Sequence, residues 1–95
     1  MPLESALVNK LNKFAVKNNL IYLNIKDKNL NGWPDSLLID RNGVHYWFEL
    51  KREDGRGRVS DIQKYRISEM KGYKIKVFVV DNIDDIKRII NGDGL

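Results

Sequence analysis

The middle of the chain constrains its fold most. Ser36-Leu37-Leu38-Ile39-Asp40 and Val44-His45-Tyr46-Trp47-Phe48-Glu49-Leu50-Lys51 are two β-prone runs that flank Arg41-Asn42-Gly43. Asn-Gly between such runs is a strong hairpin signal, because tight hairpin turns need residues that accept positive φ. Side chains alternate along a strand, so His45, Trp47, Glu49 and Lys51 share one face while Val44, Tyr46, Phe48 and Leu50 share the other. The register is open at this point. A two-residue Asn42-Gly43 turn, which local propensity favours, pairs Asp35 with Leu50. A three-residue loop with Gly43 left-handed pairs Asp35 with Glu49 and Leu37 with Trp47. One residue of slip sends the two carboxylates to opposite faces. Their even spacing favours the odd-length loop centred on Asn42, and that loop is expected.

Other elements follow from periodicity. Leu3, Leu7, Leu11 and Phe14 recur at helical spacing, which predicts a helix over 4–18 that stops at Asn18-Asn19. Leu20 to Lys26 reads as a strand and Asp27 to Gly32 as a polar loop. Ser60 is a candidate N-cap for a helix to about Lys71, with Gln63 placed to close a capping box and Gly72 as the stop. Tyr73 to Val80 reads as a near-continuous apolar strand. Asp81 or Asn82 then caps a last helix containing Ile83, Ile86, Ile89 and Ile90, ended by Gly92. No repeat, linker or low-complexity segment interrupts this order, so residues 1–95 are expected to form one domain. The fold class is α/β, with a mixed sheet flanked by helices.

Chemistry concentrates at the strand ends. Asp35 precedes one strand of the hairpin, while Glu49 and Lys51 close the other, roughly 6.6 Å apart along the strand by its rise per residue. Glu49 lies within an apolar run, where a carboxylate is unfavourable unless paired or bound to a cation. Two carboxylates and an ammonium suit a hard divalent ion acting on a phosphodiester, since Mg²⁺ or Mn²⁺ takes oxygen ligands and keeps waters. The alternative for Glu49 is a plain ion pair with Lys51, and for Asp35 a turn residue after Pro34.

Charge is unevenly distributed. The chain has 17 basic and 13 acidic residues, for a formal charge of +4. Residues 51–76 hold nine basic and four acidic residues, an excess of five, which leaves −1 on the remainder. Arg52, Arg56, Arg58, Lys64 and Arg66 are the expected nucleic-acid contacts, with Arg56-Gly57-Arg58 in a loop suited to bidentate phosphate binding. Trp33 and Trp47 read as packing residues, although Trp33 is also placed to stack on a base. His45 is too far from Glu49 to share a metal and receives no role.

Gly32-Trp33-Pro34-Asp35, Glu49-Leu50-Lys51 and the downstream Gln63 together resemble the PD-(D/E)xK nuclease superfamily, in particular its virus-type replication-repair nuclease (VRR-NUC) branch. The resemblance spans about residues 4 to 90. It implies a restriction-endonuclease-like αβββαβ(α) core and a catalytic set of Asp35, Glu49, Lys51 and Gln63. It further implies Mg²⁺ or Mn²⁺ held by Asp35, Glu49, the Leu50 carbonyl and Glu4. By the same resemblance the chain is expected to be an endonuclease acting on DNA, with branched or four-way junction DNA favoured, and to work as a homodimer. A nicking or flap nuclease, or a non-catalytic basic DNA-binding module, are the alternatives.

A chain of 95 residues buries only roughly 60–70% of its unfolded surface, so a partner subunit would add stability. The absence of cysteine excludes disulfides and thiolate zinc sites. Apolar runs such as Val77 to Val80 are too short to span a membrane. No secretory signal pattern opens the sequence, and a cytoplasmic protein is expected, in the host's cytoplasm if a phage encodes it.

Overall fold

The computed structural model describes residues 3–25 and 31–92. Its elements run α1 (Leu3–Lys17), β1 (Ile21–Asn24), β2 (Ser36–Ile39), β3 (His45–Leu50), α2 (Asp61–Gly72), β4 (Val77–Val80) and α3 (Ile83–Ile90). The strands form one mixed sheet in the order β1-β2-β3-β4, with β1/β2 and β2/β3 antiparallel and β3/β4 parallel through α2. The expected αβββαβα order is therefore present. No helix among the described residues is long and apolar enough to cross a membrane.

The hairpin takes the longer loop. Leu37 pairs with Trp47 and Ser36 with Phe48, so the register is centred on Asn42. Gly43 adopts φ 78°, and Asp40 closes the loop by accepting from the Asn42 and Val44 amides at 2.8 and 3.0 Å. An Asp side chain that satisfies loop amides selects the three-residue form over the two-residue turn that Asn-Gly alone favours.

That register sorts the side chains into two layers. Leu38, Phe48, Leu50 and Val80 meet Leu7, Leu11 and Ala15 of α1 and Ile86 and Ile89 of α3 on one face. On the other face α2 packs Ile67 and Met70 against Val77, with Trp33, Trp47 and Ile75 around them. The site lies on this second face.

Some boundaries differ from expectation. The fourth strand begins at Val77 rather than Tyr73, and Gly72 is the last residue of α2 rather than its left-handed stop. Lys74 takes that conformation at φ 61°. The Ile75 amide donates to Met70 O at 3.0 Å and the Lys74 amide to Lys71 O at 2.9 Å. This is a Schellman closure, sealed by packing of Ile75 in the Met70 cluster, and it occupies the residues that read as strand. Asn19 closes α1 in the same way at φ 58°, as expected. The first strand is shorter than 20–26, and most of the predicted 27–32 loop lies outside the described residues, as does Lys26.

Candidate active site

Three side chains meet above the end of β3. Glu49 and Lys51 project from the same face of the strand, and Lys51 Nζ lies 3.5 Å from Glu49 Oε2. Gln63, in the first turn of α2, bridges them. Its Nε2 donates to Glu49 Oε2 at 3.1 Å, and its Oε1 accepts from Lys51 Nζ at 3.0 Å. Glu49 is only 5% exposed, so its charge is shielded from water and compensated by these donors.

Gln63 is aimed by its backbone setting. Ser60 caps α2, accepting from the Gln63 amide at 3.3 Å while the Ser60 amide donates to Gln63 Oε1 at 3.0 Å. The capping box and the site role thus coexist: one amide oxygen accepts from both the cap and Lys51. A close approach sets the distance between helix and strand. A Cβ on Gly32, whose φ is 79°, would fall 2.7 Å from Ile62 O, so only glycine lets the 32–35 segment lie against the first turn of α2.

Asp35 stands one step beyond the paired Ser36 and Phe48, where the same register sets it opposite Glu49. Its Oδ1 accepts from the Leu50 amide at 3.2 Å and from Ser36 Oγ at 3.1 Å. Ser36 is fully buried, and its hydroxyl in turn lies 3.0 Å from the Tyr22 hydroxyl. With the Ser36 proton directed to Asp35, the Tyr22 hydroxyl is the donor in that second contact. Burial raises the Tyr22 pKa above its usual value; the Ser36 hydrogen bond opposes the rise and the charge of Asp35 adds to it. Sequence reading missed this Tyr22–Ser36–Asp35 chain. A serine in an apolar strand was a signal, whereas nothing local pointed to Tyr22 before the β1/β2 pairing was known.

The Leu50 carbonyl has a distinctive setting. Even-numbered residues of β3 turn their backbone groups toward β2, as the Asp40–Val44 bond and the register require. The next partner for Leu50 would be Pro34, which has no N–H to donate. A divalent ion at this point could draw on Asp35, Glu49 and this carbonyl, completed by water and phosphate oxygens, which fits the oxygen preference of Mg²⁺ and Mn²⁺. Among the described residues no group of three or more His, Cys, Asp or Glu side chains converges. Glu4 lies in α1, and its side chain falls outside the described residues.

The basic residues divide. Arg52, Arg56 and Arg58 are exposed in the loop after Lys51, with Arg52 paired to Asp54 at 2.8 Å. Gly57 lets that loop fold over the site, since a Cβ there would meet Lys51 Cβ at 3.0 Å. Lys64 stands at the rim of an apolar recess of about 390 Å³, lined also by Val59, Ile67 and Val79, the last being the β4 neighbour of Glu49. Arg66 is partly buried: its guanidinium stacks 4.8 Å from the centre of the Trp33 ring and pairs with Glu69. Trp33 also packs on Trp47 at 6.5 Å, which makes both tryptophans part of the α2 layer.

No protein-family model matches this sequence, and no curated protein matches it either. A solved structure described as a VRR_NUC domain superposes with a TM-score of 0.82 at 19% identity, covering 96% of this chain and 97% of that one. The chain therefore has the VRR_NUC-type, restriction-endonuclease-like fold.

Proposed function

We propose that the chain is a VRR-NUC nuclease of the PD-(D/E)xK superfamily: a divalent-metal-dependent endonuclease that hydrolyses phosphodiester bonds in branched DNA, four-way junctions foremost, as a homodimer in the cytoplasm. The observation that carries the reading is the Glu49–Gln63–Lys51 network, formed across two elements beside Asp35 and followed directly by a basic loop. A salt bridge kept only for stability does not call for a second carboxylate on the neighbouring strand or a glutamine held by a helix cap.

Asp35, Glu49 and the Leu50 carbonyl would hold Mg²⁺ or Mn²⁺, which when bound supplies Lewis-acid polarisation of the phosphate and a more acidic water. Glu4 is proposed as a further acidic neighbour. Lys51 holds its ammonium 3.5 Å from Glu49 Oε2, where it would orient the attacking water and offset charge growing on the phosphate. Gln63 fixes the Lys51 ammonium and one Glu49 oxygen, so neither group must reorganise during the reaction. Arg52, Arg56, Arg58 and Lys64 would take backbone phosphates, giving recognition of shape rather than base sequence.

The test is a cleavage panel of four-way junction, flap, linear duplex and single strand, with EDTA, Mg²⁺ or Mn²⁺. The expected outcome is metal-dependent cutting with the junction preferred. Preferred cutting of flaps would replace the substrate assignment, and cutting in EDTA would remove the metal from it.

A further inference from the structure

The sheet face opposite Glu49 carries a second charged feature. Packing of α1 and α3 over Leu38, Phe48 and Leu50 leaves a groove of about 460 Å³, in which Lys10, Lys13, Lys17 and Lys87 stand around Phe14 and Ile83. Among the described residues, none that lines it is acidic. Lys10, Lys13 and Lys17 follow one helical face at spacings of three and four, where like charges repel and weaken a helix. Only Lys17, in the last turn, gains from the helix dipole. Lys13, Lys17 and Lys87 are exposed and make no ion pair with any described residue. Lys10 pairs with Glu53 at 2.6 Å, and Glu53 belongs to the loop that follows Lys51. One end of the groove is thereby tied to the loop of the candidate site.

Lys13, Lys17 and Lys87, three cations that no described residue neutralises, suit an external polyanion. Ammonium groups on flexible stems suit a sugar-phosphate backbone as point charges, and their methylenes cover Phe14 and Ile83 without burying charge. The groove and Glu49 lie on opposite faces of one sheet in a body of 34 × 34 × 26 Å. A straight duplex crossing the Glu49 face cannot also reach the groove, whereas a second arm leaving a branch point can. We propose that the α1–α3 groove is a second phosphate-backbone site, holding the arm of a branched DNA that the catalytic face does not engage. The inference rests on the nuclease reading for the identity of the polyanion.

The test combines Lys13→Glu, Lys17→Glu and Lys87→Glu, leaving Lys10 and its tie to Glu53 intact. Affinity for a four-way junction and for a linear duplex is measured in EDTA across a salt series, with a Lys→Gln triple variant and thermal unfolding as folding controls. Each lost phosphate contact lowers the slope of log affinity against log salt by about 0.9. The junction slope should therefore become shallower by up to roughly 3 units while the duplex slope stays unchanged. An unchanged junction slope, or equal losses on both DNAs, overturns the proposal. Binding in EDTA does not depend on cleavage, so the two readings fail separately. Lysine-dependent junction binding by a protein that cuts nothing removes the nuclease and keeps the groove; metal-dependent cutting with unaltered slopes does the reverse.

Discussion

Gln63 serves two masters, the cap of α2 and the Glu49–Lys51 pair, and substitutions can separate them. Gln63→Glu keeps a capping-box acceptor but loses the donor to Glu49 and sets a carboxylate against that buried charge, so cleavage should fall steeply and the unfolding temperature should drop with it. Ser60→Ala removes the cap and should cost about 1 kcal/mol of stability. Lys51→Ala should slow cleavage on the order of 10²–10³-fold, the loss typical of one preorganised donor, with junction affinity measured alongside. The raised pKa of Tyr22 makes an alkaline prediction. The unfolded tyrosine titrates near 10.0 and the folded one above it, so this contribution to stability is complete below pH 10 and is lost as pH rises through the folded value. Denaturant melts of Tyr22→Phe should lack that part of the alkaline decline. Glu49 was legible because a carboxylate interrupts an apolar run with Lys51 two residues on, whereas Asp35 was read from the Gly32-Trp33-Pro34-Asp35 motif and Gln63 from the family resemblance. Tyr22 was not, because its contact to Ser36, and through it to Asp35, depends on strand pairing across 14 residues of chain.

At the level of elements, the hairpin was read with its register because Asp35 and Glu49 lie an even number of residues apart, and the structure adds the reason: Asp40 satisfies two amides of the loop. The α2 start was legible in Ser60 and Gln63. Its end was legible to within one residue, but its closure was not, since sequence points to Gly72 where the backbone instead places Lys74 left-handed and lets Ile75 seal the turn. Side-chain packing overrode the glycine signal there. The glycines themselves give a graded test. Gly43→Ala meets open space and should cost roughly 1 kcal/mol through its positive φ alone. Gly32→Ala adds a clash with the Ile62 backbone, so it should cost clearly more in denaturant melts. It should also reduce cleavage, because the first turn of α2 must shift and carry Gln63 with it.

For the whole molecule, β1 is an edge strand whose Ile21 and Leu23 remain 57% and 45% exposed on the Glu49 side of the sheet. Self-association would cover such side chains, and a symmetric branch point offers two equivalent strands to two equivalent sites. Light scattering at micromolar protein should give a dimer mass; a monomer mass with cleavage linear in protein concentration would contradict the homodimer. The proposed chemistry requires Glu49 to be a metal ligand rather than half of an ion pair. The direct measurement is four-way junction cleavage by the wild-type protein and by Glu49→Gln during a Mn²⁺ titration, with binding followed in parallel. Metal-dependent cutting is expected of the wild type and none of Glu49→Gln, which should bind at least as tightly because a carboxylate no longer repels phosphate. Wild-type protein that binds the junction yet leaves it uncut across Mg²⁺, Mn²⁺ and about pH 7 to 9, over which a metal-bound water gives up its proton more readily as pH rises, would contradict it.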